Sequence, residues 1–226
     1  DAKFVDVAEV ALYNNTLAGV NLAGDRFFYV NPLAADGFRP FNHGHAGRAP
    51  WFGTACCPTN LARLVPQVPG MLFAQDDDGL LACLYASGRT RVTLGGVETE
   101  VVEETEYPYD GVVNLTLNPE KPTRFAVRLR VPTWTTDRFV PGELYKYVPG
   151  AAPAVRVLVN DTPVDATTAN GVVTGGREWT KGDRIRLGLP MPVDDIVASG
   201  ATSPLAQPIE VLGRTVGNRF AVQPME

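Results

Sequence analysis

The chain has 226 residues, 45% of them hydrophobic and 20% charged, an ordinary soluble composition with room for one large or two small domains. Its net charge of −5, with lysines and arginines scattered, offers no basic stripe for nucleic acid and suits a neutral partner such as a sugar. No run of about 18 apolar residues predicts a membrane span, and Asp1-Ala2-Lys3-Phe4 lacks the basic start and apolar core of a secretory leader.

Residues 3–17 carry the one long helical pattern. Phe4, Val7, Ala8, Ala11 and Leu12 fall on one face, and Asn14, Asn15 and Gly19 are stop signals. Such a helix needs a surface to cover its apolar face, and the rest of the chain offers few helices to supply it. Gly19–Leu22 and Arg26–Val30, around Ala23-Gly24-Asp25, read as a short hairpin. Residues 31–55, rich in Pro, Gly, Asn and His, read as a long loop of the kind that is usually functional or disordered. Residues 57–68 read as a short helix with Cys57 at its N-cap and Pro58 at its first position.

From Met71 onward the pattern changes to period two. Leu80–Tyr85, Arg91–Leu94, Glu98–Glu103, Val112–Leu117, Arg124–Val131, Val155–Val159, Gly171–Thr174 and Arg184–Leu187 are predicted strands. Gly95-Gly96, Asp110-Gly111, Asn160-Asp161, Asn170-Gly171 and Gly182-Asp183 mark turns between them. The predicted fold is mainly β, one sandwich or two. The expected boundaries are residues 1–70 for the helical part, 71–135 for a β-sandwich and 136–226 for a second sandwich-like region, with 132–153 as linker or insertion. Asp76-Asp77-Asp78 and Glu103-Glu104 read as solvated turn acids, and Cys83 as a strand core residue.

Cys56, Cys57 and Cys83 are too few and too oddly spaced for a disulfide framework, so free thiols are predicted and the redox compartment stays open. Cys56-Cys57-Pro58 stands at the opening of a predicted helix, where unpaired backbone N–H groups and the positive dipole end lower a thiol pKa. Adjacent sulfurs can also share one zinc, whose tetrahedral shell takes four ligands, of which two are visible here. The alternative is two small, buried, inert residues. His43 and His45 are metal ligands on the same patch or an ordinary solvated or bonded pair. No Ser–His–Asp order, phosphate-binding glycine loop or HExxH motif is present.

Several segments together resemble glycoside hydrolase family 127. They are Phe4-Val5-Asp6-Val7-Ala8-Glu9 with Ala11-Leu12-Tyr13-Asn14, Arg26–Leu33, Trp51-Phe52-Gly53 and Ala55-Cys56-Cys57-Pro58, with Asn60 and Ala62-Arg63-Leu64. Arg128–Trp134 and Leu189–Val193 resemble its sandwich strands. The resemblance implies β-sandwich domains preceded by the last helices of an (α/α)6 barrel catalytic domain. It implies a retaining β-L-arabinofuranosidase that binds a carbohydrate substrate and works through a thioglycosyl intermediate. Its zinc is held by one glutamate and three cysteines. By motif position Cys56 is the nucleophile and a zinc ligand, Cys57 a second zinc ligand, and Tyr29 a residue of the sugar pocket. The remaining zinc ligands, the acid/base glutamate and most barrel helices fall upstream in the family. Thr54 stands where some members carry a further cysteine, and Val10 replaces a common arginine. The chain is therefore expected to be part of a longer protein, to need the N-terminal barrel of that protein as its partner, and to be inactive alone. The competing expectation is a non-catalytic sandwich that packs or binds glycans.

Overall fold

A computed structural model describes residues 1–32, 35–135, 145–147, 154–191, 196–198, 209–211 and 214–216. The chain forms two compact units, one of Asp1–Asp6, Pro69–Gly142 and Lys146–Ile196, the other of Val7–Val68, Glu143–Tyr145 and Val197–Glu226. No described helix is long and apolar enough to cross a membrane.

The first unit is a β-sandwich. In chain order its strands begin with β1 (Phe73–Asp76), β2 (Gly79–Ala82), β3 (Gly88–Leu94), β4 (Val97–Thr105), β5 (Val112–Pro119) and β6 (Thr123–Arg130). After β7 (Tyr145–Tyr147) come β8 (Arg156–Val159), β9 (Thr162–Val164), β10 (Thr168–Ala169), β11 (Val172–Trp179) and β12 (Asp183–Gly188). One sheet has the order β1-β2-β6-β11-β10 and the other β3-β4-β5-β12-β8-β9. β7 and three short later strands, β13 (Ile196–Ala198), β14 (Ile209–Val211) and β15 (Arg214–Val216), lie outside these two sheets.

The period-two pattern becomes the core. Val113, Leu115 and Leu117 of β5, Phe125, Val127 and Leu129 of β6, and Ile185 and Leu187 of β12 are all buried. Each such side chain contributes about 1.5–3 kcal/mol when fully buried. Trp179 is buried too, its indole N–H donating to the Phe125 carbonyl at 3.0 Å. Gly95-Gly96, Asn160-Asp161 and Asn170-Gly171 have positive φ at both residues, as the two-residue turn that matches strand twist requires. Gly79 answers a different need. A Cβ there would lie 2.0 Å from the Ala126 carbonyl oxygen, so glycine is what lets β2 run parallel against β6.

The predicted boundary at residue 135 does not hold. β11 pairs with β6 along its whole length, and β12 inserts between β5 and β8. Strands on both sides of residue 135 therefore complete one sandwich. Pairing between distant segments leaves no local mark in the sequence, which is why each half read as a unit. The stretch 132–153 lies largely outside the described residues.

Two smaller readings also change. Glu103 is not a turn acid. It sits in β4 on the same face as Val97 and Val101, 1% exposed, and Oε1 accepts the Ala86 N–H at 3.0 Å. Its Oε2 has no partner among the described residues, and burial pushes the carboxyl up to about 8. Cys83 lies just past β2, half-buried, and burial pushes its thiol up. Asp76, by contrast, is the turn acid predicted. It accepts the Asp78 and Gly79 N–H groups at 3.1 Å, and its bond to Arg128 holds the carboxyl down at about 2.

The first helix, α1 (Lys3–Ala11), is shorter than its periodicity predicts and continues as a π-helical turn over Leu12–Thr16. Its polarity is inverted. Phe4 is 70% and Val7 54% exposed, whereas Asp6 and Glu9 are buried. Asp6 is buried against a cation, its Oδ1 accepting from Arg130 Nη1 at 2.8 Å with both side chains almost inaccessible. Arg130 Nε also donates to the Cys83 carbonyl, and the Tyr85 hydroxyl donates to the Arg130 carbonyl. The Ala2 N–H donates to the Asn170 carbonyl at 3.0 Å, so the start of α1 is fastened to the sandwich at two points.

Candidate active site

The second helix, α2 (Cys56–Leu64), belongs to the second unit. Its N-cap is Ala55, two residues before the predicted Cys57, and it gives way to a 3₁₀ segment at Val65. Cys56 and Cys57 are its first two residues. Pro58 comes third, still in the first turn, where a missing N–H breaks no helical bond. Thr59 closes the turn, its N–H reaching the Ala55 carbonyl at 3.1 Å and its hydroxyl the same oxygen at 2.7 Å.

The sulfurs are not sealed in a core. Cys56 is exposed and Cys57 half-buried. The Tyr29 hydroxyl lies 2.9 Å from Cys56 Sγ, and the two Sγ atoms are 3.8 Å apart. The bond from Tyr29, then the contact with Cys57, holds the Cys56 thiol below its ordinary value. The same Tyr29–Cys56 contact pushes the phenol of Tyr29 up. Burial, then the neighbouring sulfur, pushes Cys57 up. Two chemically identical side chains are thereby made unequal, with Cys56 the readier thiolate.

Tyr29 is held from behind by Asn42, which is fully buried. Asn42 Oδ1 accepts the N–H of Tyr29 at 2.7 Å and of Val30 at 3.3 Å. Its Nδ2 donates to the carbonyls of Gly47 at 2.9 Å and Phe27 at 3.3 Å. All four hydrogen-bonding positions of the amide are used. The predicted hairpin over residues 19–30 shrinks to a single Val20–Phe27 bridge, because Phe27 also bridges Ala49. Asn21 Oδ1 takes the Asp25 and Arg26 N–H groups in the turn. His43 packs edge-on against Tyr29 with ring centroids 4.1 Å apart, and Phe52 backs His43 at 5.8 Å and His45 at 6.4 Å. Sequence reasoning missed Asn42. Its place before His43-Gly44, a dipeptide able to take positive φ, was the available signal.

Two sulfurs each about 2.3 Å from one tetrahedral ion are about 3.8 Å apart. The Cys56–Cys57 separation meets that requirement, so the pair fits half of a zinc shell. No group of three or more His, Cys, Asp or Glu side chains able to hold a metal occurs among the described residues, so His43 and His45 do not complete it.

Residues 1–70 match the family described as Beta-L-arabinofuranosidase, GH127 catalytic domain, and residues 79–191 match its GH127 middle domain. The chain belongs to glycoside hydrolase family 127. Within GH127 it is similar to a non-reducing end β-L-arabinofuranosidase of Bifidobacterium longum subsp. longum, 33% identical over 146 residues, or 61% of this chain. Of solved structures, a GH127 β-arabinofuranosidase matches with a TM-score of 0.82 at 33% identity over 92% of this chain. A GH127 β-L-arabinofuranosidase from Geobacillus stearothermophilus T6 matches with a TM-score of 0.76 at 34% identity, again over 92%. This GH127 chain spans 22% of the Bifidobacterium relative and 32% and 31% of the two structures. The cysteine pair falls in the catalytic-domain match and the sandwich strands from β2 to β12 in the middle-domain match.

Proposed function

We propose that this chain carries the nucleophile side of a retaining glycosidase that releases β-L-arabinofuranose, with Cys56 as nucleophile and zinc ligand and Cys57 as a second zinc ligand. The observation that carries the reading is an exposed Cys56 sulfur in the first turn of α2, 2.9 Å from the Tyr29 hydroxyl. Cys56 and Cys57 would hold two positions of a zinc shell completed from outside the described residues, and the ion would supply the charge that keeps these thiols deprotonated at neutral pH.

The Cys56 sulfur attacks the anomeric carbon from the face opposite the leaving group. The C1–S bond forms as the glycosidic C1–O bond breaks, and the departing oxygen takes a proton from an acid/base glutamate that the family resemblance puts upstream of Asp1. Water then attacks C1 while that glutamate accepts its proton, and the C1–S pair returns to sulfur. Two inversions give retention. Tyr29 stabilises the sulfur anion at the start and end of the cycle and lines the sugar pocket beside it. The exposed Phe4 and Val7 of α1 support the companion reading that an N-terminal barrel covers that face.

The test is hydrolysis of a β-L-arabinofuranoside by the chain alone and by a protein that also carries the preceding barrel. The chain alone is expected to be inactive. The longer protein is expected to turn over and to form a pentosyl adduct on the Cys56 peptide, both lost in Cys56→Ser. Turnover by the isolated chain, or by the longer protein carrying Cys56→Ser, overturns the proposal.

A further inference from the structure

The sharp turn next to Tyr29 carries an imidazole that the proposed chemistry does not use. Asn42 and His45 pair across it, N–H to carbonyl in both directions, at 2.9 and 3.1 Å. His43 and Gly44 fill the two central positions with φ of +50° and +91°. Positive φ at both central residues makes a type I′ turn, and a histidine in the left-handed region is uncommon enough to ask what holds it there. Asn42 supplies the answer. Its buried amide bonds to the backbone of Tyr29 and of Gly47 together, so the turn and the tyrosine form one rigid piece.

His43 is exposed, and neither ring nitrogen has a hydrogen-bond partner among the described residues. Its ring is 4.1 Å from that of Tyr29, whose hydroxyl is 2.9 Å from Cys56 Sγ. A polar ring with free nitrogens, fixed one aromatic ring away from an exposed sulfur, is suited to bind a hydroxylated ligand seated on that sulfur. Phe52, 7% exposed, packs against both rings, 5.8 Å from that of His43 and 5.5 Å from that of Tyr29, so the three rings form one cluster that holds the exposed imidazole in place. His45 meets Phe52 at 6.4 Å, and among the described residues its ring does not contact that of Tyr29.

The geometry points to His43 as a specificity-determining residue of the sugar site, hydrogen-bonding a ring hydroxyl of the furanose whose anomeric carbon faces Cys56. The inference rests on the reading of Cys56 as nucleophile. It adds that recognition of the sugar is shared with the Asn42–His45 turn.

The probe is methyl β-L-arabinofuranoside, titrated into the protein that also carries the preceding barrel, in a Cys56→Ser background so that the sugar is not turned over, and followed by ligand saturation-transfer and by imidazole C–H shifts, the His43 and His45 signals being assigned by their loss on substitution. His43 signals should move with ligand while those of His45 stay. His43→Gly suits the positive φ and removes the ring, and it should weaken binding about three- to tenfold, the range for one lost neutral hydrogen bond. His43→Asn keeps the backbone conformation and a donor, and it should recover part of that loss, which a purely structural role for the ring would not produce. Binding with unmoved His43 signals and unchanged affinity in both variants overturns the inference and leaves the Cys56 reading standing. Absence of saturation transfer to that protein with His43 intact removes the sugar site itself, and the inference with it.

Discussion

Glu103 offers the sharpest test of the energetics, because a carboxyl 1% exposed in a sandwich core should make stability fall as pH rises. Its one hydrogen bond comes from the Ala86 N–H, and burial pushes it up to about 8. The unfolded chain titrates near the ordinary glutamate value of about 4.3. Below that pH both states hold the proton and the contribution is fully present. Between about 4.3 and 8 the unfolded state has lost the proton that the folded state keeps, so stability declines by about 1.4 kcal/mol per pH unit. From pH 5 to pH 8 that is at most about 4 kcal/mol, less where water reaches the carboxylate once it ionises. Glu103→Gln keeps an acceptor for the Ala86 N–H and removes the titration. Urea unfolding of both proteins at pH 5, 6.5 and 8, followed by intrinsic fluorescence, measures the difference. The two should be close at pH 5 and diverge toward pH 8, with the variant the more stable. Parallel pH profiles would refute the reasoning.

The buried Asp6–Arg130 pair makes a second prediction: Asp6→Ala takes the carboxylate away from a buried guanidinium and should lower unfolding stability by roughly 3–5 kcal/mol, read from the urea midpoint. A double Asp6→Leu, Arg130→Met variant should recover much of that loss, and a single variant indistinguishable from wild type would show the pair to be solvated. Gly79→Ala forces a methyl group against the Ala126 carbonyl and a strained φ of +156°, and should cost roughly 2–4 kcal/mol. Hydrogen exchange at the Ala126 N–H, which bonds to the Asp78 carbonyl, should quicken first, and unchanged protection there would count against the close-approach argument.

What was legible in the sequence was local. The eight period-two runs and the Gly95-Gly96, Asn160-Asp161 and Asn170-Gly171 turns could be read because alternation and positive φ are properties of neighbours. Glu103 shared the parity of Val97 and Val101 and so carried its own warning, overridden by its charge. The inverted face of α1 could not be read, because the cation that buries Asp6 is 124 residues away. The same holds for the joining of strands on either side of residue 135 into one sandwich. At the site, the opening of α2 at the cysteine pair was readable to within two residues from Pro58. The approach of Tyr29 to Cys56 across 27 residues was not readable from spacing, and only the family resemblance pointed to the tyrosine.

The last strand of the six-stranded sheet, Asp183–Gly188, lies in its interior, with Val112–Pro119 on one side and Arg156–Val159 on the other. During synthesis the earlier strands must wait with open edges until residue 188 has left the ribosome, because nothing made sooner can fill the gap. A chain cut anywhere before Asp183 would lose the seam between two half-sheets, not an ornament at the rim.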